Sequence, residues 1–256
     1  MQLTLMTWPE VEARLERGAC VMLPIGSVEQ HGPMGLIGTD VICATEVALR
    51  AADRVDAIVA PAISYTSAPF NTGFPGTVSV TPDLVSALVL QVCQGLLGQG
   101  ISGVFIVNGH GANLDPIAKA QQSLPAGSVK IQSWWEPPEV NTMRAKLYGE
   151  WEGMHATPSE VAITQALYGA KPVGAAADPP ELLSADYIRQ HSGDRHGPPD
   201  KHRADFPDGR VGSHSALATP EHGQQLLDLA STAIADQFVE FSERRRSESN
   251  LKPENR

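Results

Sequence analysis

The chain has 256 residues, enough for one large domain or two small ones, and its 42% hydrophobic and 19% charged residues are ordinary for an α/β protein. A formal net charge of −10 argues against a nucleic-acid groove or an anionic membrane surface as partner, because both need clustered Lys and Arg. Three widely spaced cysteines, no long apolar run and no basic N-terminal signal predict a cytoplasmic protein with reduced thiols and no membrane span.

The first half of the chain alternates predicted helices and strands. A Thr7–Glu10 capping box starts a helix that should end at Gly18, and the apolar run Cys20–Ile25 predicts a buried strand. The next predicted elements are helix Asp40–Arg54, strand Asp56–Ile63, a helix from Pro82 to about Gly98, strand Val104–Val107, a helix to about Ser123 and strand Ser128–Ser133. This alternation predicts a three-layer α/β/α fold with a mainly parallel sheet.

The pattern loosens in the second half. Helices are predicted over Pro138–Tyr148, from Thr157 to Tyr168 and over Thr219–Arg246. Between them, Lys171–Leu217 is rich in Pro, Gly, Asp and His, with only a short element over Ser184–Gln190. Such a long irregular stretch is more often a functional cover or a subunit contact than a linker. No repeat or boundary divides the chain, so we expect one domain over residues 1–245 and a charged tail over residues 246–256.

Three ligand-type side chains follow the first predicted strand. Glu29 and His31 are two residues apart, so in extended backbone both point to the same side, and Asp40 follows a glycine-rich loop. Oxygen and imidazole ligands without thiolate suit zinc, manganese or iron(II). Taken alone, the stretch is equally well explained as a polar loop in which Asp40 caps the next helix.

A third strand should deliver His110 to the same place. Ligands bind outside the carboxyl ends of strands in an open parallel sheet, so Glu29, His31 and His110 are expected to converge there. His110 lies between glycines in a loop, which favours a ligand over a core histidine. Glu160 is the fourth residue of a capping box that starts at Thr157, and this explains Glu160 without any ligand role.

Aromatic and imidazole side chains provide candidates for a substrate pocket. His155 lies in a loop just before that capping box and is a candidate acid/base. Trp134, Trp135 and Trp151 are candidates for the pocket wall, although a core or subunit-interface tryptophan explains each of them equally well.

These motifs together resemble those of the creatininase (creatinine amidohydrolase) family. They are Gly26–Pro33, Thr39-Asp40, Phe74–Thr77, Asn108–Asn113 and the pair His155 and Glu160, in the right order over about residues 5–240. The resemblance implies a creatininase-like α/β fold and two divalent metal ions, Zn²⁺ with Zn²⁺, Mn²⁺ or Fe²⁺. It also implies a homo-oligomer, typically a hexamer, that hydrolyses cyclic or linear amide bonds.

Carried over to this sequence, the resemblance assigns Glu29, Asp40 and His110 to one metal. It assigns His31 and Asp40 to the other, with Asp40 as the bridge. Creatininase itself has a further glutamate two residues after the equivalent of His110, where this chain has alanine. The Asn-Gly-His-Gly-x-Asn form is more similar to a deformylase-like branch of the family, in which Glu160 is the replacement ligand.

The resemblance also assigns residues to the substrate. Trp151 and His155 keep the four-residue spacing of the family's substrate-stacking tryptophan and catalytic histidine. Asn71 stands where many relatives carry histidine, and this departure and Ala112 together argue against creatinine itself as the substrate. Glu152 is a candidate to orient His155, although a surface glutamate explains it at least as well.

The resemblance implies a binuclear metal-dependent amidohydrolase that cleaves a C–N bond of a small amide through a metal-activated hydroxide. His155 would carry the proton to the leaving nitrogen. The alternatives are a non-catalytic metal-binding or scaffold protein with the same fold, and a family peptidase that trims a modified peptide. A complete set of five ligand-type residues disfavours the scaffold, because a scaffold needs no such set.

Overall fold

The computed structural model describes residues 1–250, and a four-stranded, fully parallel sheet lies at the centre of this part of the chain. The strands are β1 (Cys20–Ile25), β2 (Ile58–Val59), β3 (Gly103–Asn108) and β4 (Val129–Ser133), in the order β2-β1-β3-β4. Ile25 pairs with Asn108, which in turn pairs with Ser133. Three strands therefore end at the same level, and the loops after them meet at one edge.

Helices cover both faces of this sheet. They are α1 (Trp8–Leu15), α2 (Thr39–Val55), α3 (Pro82–Gly98), α4 (Leu114–Gln121), α5 (Pro138–Tyr148), α6 (Pro158–Tyr168), α7 (Ala185–His191), α8 (Pro199–Asp205) and α9 (Pro220–Asn250). Helices α2, α6 and α9 share a core with one face, and α3 and α4 share a core with the other. The predicted three-layer α/β/α architecture is confirmed.

Burial on both faces explains why β1 and β3 are continuous apolar runs. Met22 and Phe105 belong to the core with α2 and α9, whereas Leu23 and Ile106 belong to the core with α3 and α4. Each of these fully buried side chains stabilises the fold by about 1.5–3 kcal/mol. The carboxyl edge that carries the site therefore rests on a rigid base.

The second strand is much shorter than predicted, because Pro61 interrupts it. Strand β2 covers Ile58–Val59 rather than Asp56–Ile63. Ala60 N–H donates to the Met22 carbonyl at 2.8 Å, but the next bond to β1 comes from Ile63 N–H. Proline has no N–H to donate, so the chain takes an extra residue before pairing resumes.

The second half differs from prediction in two places. The short helix α8 (Pro199–Asp205) lies inside the stretch predicted to be irregular, and the predicted element at Ser184–Gln190 is α7. Helix α9 continues past Arg246 to Asn250, so the first part of the predicted tail is helical, and residues 251–256 lie outside the described residues. No helix within residues 1–250 combines the length and hydropathy needed to span a membrane.

Candidate metal centre

A cavity of about 310 Å³ lies at the carboxyl edge of the sheet, next to the ligand-type residues. Its wall includes Asp40, His110, His155 and Glu160. A larger cavity, of about 610 Å³, lies elsewhere and contains none of the predicted site residues. The chemistry of the side chains, not the volume, identifies the smaller cavity as the candidate site.

Two glycines bring the start of α2 onto the strand ends. A Cβ at Gly26 would lie 2.6 Å from the carbonyl carbon of Asp40, and a Cβ at Gly109 would clash with the carbonyl oxygen of the same residue. Only glycine permits these close approaches. They place Asp40, the second residue of α2, directly over the ends of β1 and β3, and the helix N-terminus favours its negative charge.

The first group of donor atoms comes from Glu29, Asp40 and His110. His110 Nδ1 lies 2.8 Å from Glu29 Oε1 and 3.0 Å from Asp40 Oδ2. His110 Nε2 lies 2.9 Å from the Ser67 carbonyl oxygen, which can only accept, so Nε2 carries an N–H and Nδ1 is the nitrogen available to a metal. Glu29 Oε1 and Asp40 Oδ2 accept no hydrogen bond of good geometry from the described residues. Nδ1 and two buried carboxylate oxygens thus face one another, and a cation between them, whether a proton on Nδ1 or a metal ion, offsets the negative charge.

The second group comes from His31, Asp40 and Glu160. His31 Nδ1 lies 3.1 Å from the Glu29 carbonyl oxygen, so Nδ1 carries an N–H and Nε2 is the nitrogen available to a metal. His31 Nε2 lies 2.9 Å from Asp40 Oδ1 and 3.9 Å from Glu160 Oε1. Asp40 therefore contributes Oδ2 to the first group and Oδ1 to the second.

The charges of these groups attract cations strongly. Burial alone would lower the pKa of His31, but Asp40 and Glu160 outweigh burial and raise this pKa to about 10. Burial likewise opposes protonation of His110, yet Glu29 and Asp40 raise the pKa of His110 well above its usual value. Burial would raise the pKa of Asp40, but the two histidines hold it well below its usual range. A metal competes with protons for such donors, so its binding releases protons.

The donor set therefore fits divalent metal ions. The structure brings all five predicted ligands together, with the donor atoms of each group within 4.8 Å of one another. Imidazole and carboxylate without thiolate suit zinc and manganese, and both histidines donate their other N–H to a backbone carbonyl, as metal-binding histidines usually do. These residues are able to bind metal ions.

Glu160 has the contacts that both interpretations of the sequence, helix cap and metal ligand, require. Its Oε1 accepts from Thr157 N–H at 2.5 Å, and the predicted capping box at the start of α6 is present. The same oxygen faces His31 in the second group. Burial raises the pKa of Glu160 to about 7, against the opposing charge of His31.

Asn71 lies behind Glu29 rather than in the cavity. It is fully buried, and its Nδ2 donates to Glu29 Oε2 at 2.6 Å. Asn71 Oδ1 in turn accepts from Gln30 Nε2 at 2.7 Å. The substrate role predicted for Asn71 does not agree with this position. Asn71 instead orients a candidate metal ligand, and Gln30, for which the sequence predicts no site role, holds Asn71 in turn.

His155 lies next to the second group, as predicted. It lines the cavity, and its ring centroid is 4.4 Å from that of His31. His155 Nε2 lies 2.7 Å from the Gln30 carbonyl oxygen, so Nε2 donates and Nδ1 is the unprotonated nitrogen. Burial, followed by the charge of His31, lowers the pKa of His155 to about 3. The imidazole is neutral at pH 7.

Glu152 does not orient His155. No oxygen of Glu152 lies within 4.0 Å of a His155 nitrogen in the described part of the chain. Instead, Glu152 forms an ion pair with Arg144 at 2.9 Å and accepts from the Ser159 hydroxyl. The Gln30 carbonyl fixes the imidazole in place of the predicted carboxylate.

The three candidate tryptophans occupy different places. Trp134 and Trp135 line the cavity and pack edge to face with centroids 5.9 Å apart, and Trp134 is also part of the core. Trp151 is half-buried outside this cavity, where its ring packs against His214 at 5.7 Å. The structure thus supports a pocket wall made of Trp134 and Trp135, and not the predicted contact of Trp151.

One acidic residue on the cavity wall was not predicted. Asp194 comes from the irregular stretch, and its Oδ2 accepts from Ala112 N–H at 3.0 Å. The same oxygen lies 3.7 Å from His110 Nδ1. No motif surrounds Asp194 in the sequence, and a contact between residues 82 positions apart leaves no local signal.

Comparison with known proteins identifies the family of the chain. The family described as "Creatininase: Creatinine amidohydrolase" matches residues 4–238. Creatinine amidohydrolase of Pseudomonas putida is 28% identical, over 92% of this chain and 95% of the relative. A mycofactocin precursor peptide peptidase of Mycolicibacterium smegmatis is 37% identical, over 39% of this chain and 42% of the relative.

Solved creatininase structures share the fold along almost the whole chain. A mutant complexed with creatine has a TM-score of 0.73 at 25% identity, and "Creatininase Mn" has 0.70 at 25%. A mutant of the Zn–Zn type has 0.74 at 24% identity. Each covers 93% of this chain and 97% of the known one. The match over residues 4–238, the shared fold and the donor set together show that the chain belongs to the creatininase family of metal-dependent amide hydrolases.

Proposed function

We propose that the chain is a binuclear metal-dependent amidohydrolase that cleaves a non-peptide C–N bond, cyclic or linear, in a small amide. The observation that carries this proposal is the division of Asp40, with one oxygen in each of two donor groups. Glu29 and His110 would complete one metal site, and His31 and Glu160 the other. The metals we expect are Zn²⁺ with Zn²⁺, Mn²⁺ or Fe²⁺.

When bound, such ions supply Lewis acidity, which polarises an amide carbonyl and makes water a better nucleophile near neutral pH. His155 would carry a proton between the attacking water and the leaving nitrogen, since its neutral imidazole lines the cavity and its Nε2–H is held by Gln30. Its low pKa then favours transfer of the proton to the leaving nitrogen. Trp134 and Trp135 form an apolar wall that limits access of water to the reacting bond.

A peptidase is the second candidate function. It is favoured by the 37% identity to the mycofactocin precursor peptide peptidase, although this similarity covers only 39% of the chain. A non-catalytic scaffold is disfavoured by the intact donor groups. Parallel assays of small amides and short peptides with one metal-replete preparation separate the amidohydrolase from the peptidase.

The proposal extends to location and assembly. We propose a single domain over residues 1–245 in a cytoplasmic homo-oligomer, with no nucleic-acid or membrane partner. Three buried, unpaired cysteines agree with a reducing compartment. Leu5 and Trp8 expose 78% and 75% of their surface, which suits a subunit contact. Light scattering should give a hexamer, and a stable monomer at micromolar concentration contradicts the oligomer.

His155→Ala tests the proposed chemistry. An acid/base group contributes about 10²–10⁴-fold to rate, so turnover of whichever amide is hydrolysed should fall by at least about 100-fold. The metal content and the oligomer should stay unchanged. The control is His222→Ala, because His222 contacts Tyr148 outside the cavity and should keep near wild-type turnover. Undiminished turnover in metal-replete His155→Ala would exclude the histidine from the mechanism.

A further inference from the structure

Asp194 lies on the wall of the cavity that holds the candidate metal ligands, and its Oδ1 makes no hydrogen bond in the described part of the chain. Its side chain is only 12% exposed, and its φ of +56° is a conformation that aspartate tolerates better than most residues. Oδ2 accepts a hydrogen bond from the Ala112 N–H. The residue before Ala112 is Gly111, and a Cβ at this position would clash with Oδ2. The surrounding backbone is thus built to accept this carboxylate.

Asp194 lies outside both groups of metal donors. The donor atoms of each group lie within 4.8 Å of one another, and no atom of Asp194 is among them. Asp194 Oδ2 nevertheless lies 3.7 Å from His110 Nδ1 of the first group. On the cavity wall it lies beside the first group, next to the space open to a ligand.

Apart from His110 Nδ1, which lies 3.7 Å from Oδ2, the carboxylate of Asp194 has no close cationic partner in the described part of the chain. No Lys or Arg nitrogen lies within 4.0 Å of it, and the adjacent Arg195 pairs with Asp115 instead. Oδ1 makes no hydrogen bond there. His196 Nε2 lies 3.9 Å from Oδ1, which is beyond hydrogen-bond distance. A largely buried carboxylate at a cavity favours a ligand that brings positive charge and N–H donors.

We propose that Asp194 is a specificity-determining residue that binds a primary ammonium group of the amide substrate. The proposal rests on the proposed function of the same site. A guanidinium fork needs both carboxylate oxygens for its paired bonds, but Oδ2 is already engaged by Ala112. An ammonium group is a compact donor that can bind through Oδ1 alone.

The test compares two probes of equal size, β-alaninamide and butyramide, which differ by an ammonium in place of a methyl group. Binding of each to the metal-replete protein is measured by calorimetry or ligand-observed NMR at pH 7. A charge-assisted hydrogen bond predicts at least about tenfold preference for β-alaninamide. Asp194→Asn should reduce this preference to less than about twofold, with metal content unchanged. Asp186→Asn is the control, since that carboxylate is 74% exposed in the same stretch, and it should keep the preference.

Three results would overturn the proposal. They are equal or absent binding of the two probes by the wild type, an unchanged preference in Asp194→Asn, and loss of a metal ion in that variant, which would make Asp194 a ligand. If Asp194→Asn does not fold, Gly111→Ala serves instead, because its Cβ displaces the carboxylate and should abolish the preference. A preference that depends on Asp194 in a protein that hydrolyses no amide would refute the proposed function and leave this binding site standing.

Discussion

Glu29 shows how a single buried carboxylate is held in position for a metal. One oxygen faces His110 at 2.8 Å, and the other accepts from Asn71 at 2.6 Å. An amide donor behind the ligand fixes its rotamer and leaves the opposite oxygen free to bind a cation. The identity of residue 71 therefore matters for the metal, although Asn71 does not reach the cavity.

Asn71→Ala should weaken metal binding without removing a ligand. Loss of an outer hydrogen bond of this kind typically costs 10–100-fold in metal affinity. Competition with a chromophoric chelator measures this change for each bound ion. The control is Asn141→Ala, whose side chain contacts Glu136 and Arg144 near the surface and should keep wild-type affinity. Equal affinities in the two variants would show that Asn71 does not support Glu29.

A capping box starts two helices of the molecule, α1 and α6. Comparing the two boxes separates the helix-capping role of the glutamate from its candidate role as a metal ligand. Thr7 and Glu10 form a capping box at α1, and Thr157 and Glu160 form one at α6. Only the second box faces a histidine and a shared carboxylate. A local sequence pattern thus predicts the cap in both places, while only the tertiary structure distinguishes the candidate ligand.

Glu160→Gln should remove one metal ion per chain and leave the helix intact. Glutamine still accepts a hydrogen bond from Thr157 N–H, but it lacks the negative charge that the second group contributes. Elemental analysis of the purified variant measures the loss, and thermal unfolding of the metal-free protein checks the helix. Glu10→Gln is the matched control and should lose no metal. Full metal content in Glu160→Gln would return Glu160 to a capping role alone.

The elements that the sequence predicts well are those with strong local signals. Strand β1 is a continuous apolar run, and α3 has Pro82 at its first position and Thr81 as its cap. The predictions failed at β2 and α8, where the local signals are weaker or were outweighed by the apolar pattern. Pro61 shortens β2 through pairing with β1, and α8 is short and has no side-chain cap.

The sequence predicts the part of the candidate site whose residues directly follow strands of the sheet. Glu29, His31 and His110 follow β1 and β3, so the topology alone brings them to one edge. The positions of Asp194 and Asn71 in the site depend on loops that come from distant parts of the sequence and pack against this edge of the sheet. Periodicity and spacing carry no information about such approaches.

At the scale of the whole molecule, residues 171–217 place buried histidines near the site. His196 and His202 pack against Phe70, with ring centroids 4.8 Å and 5.0 Å from it. Burial, with the neighbouring histidines His202 and His191, lowers the pKa of His196 to about 3. Burial also lowers the pKa of His202 to about 4, against the charges of Glu29 and Asp205. Both side chains are neutral in the folded protein at pH 7.

These histidines should make the fold sensitive to acid. The unfolded chain takes up their protons near pH 6.5, whereas the folded chain takes them up only near pH 3–4. Their contribution to stability is therefore complete above pH 6.5 and decreases as the pH falls toward the folded pKa values. The slope is up to about 1.4 kcal/mol per pH unit for each histidine.

Urea unfolding of the metal-free protein between pH 6.5 and 5 measures this slope. Against the wild type, the double variant His196→Gln, His202→Gln should lose less stability on acidification, since glutamine takes up no proton. His222→Gln serves as the control and should follow the wild type. Parallel curves for the wild type and the double variant would contradict the prediction.

Anomalous diffraction from crystals of the metal-replete protein tests the two-metal site most directly. Data collected on both sides of the zinc and manganese absorption edges identify each metal and its position. We expect two peaks per chain, one on each side of Asp40. One should lie beside Glu29 and His110, and the other beside His31 and Glu160. A single peak, or peaks away from Asp40, would contradict the binuclear centre.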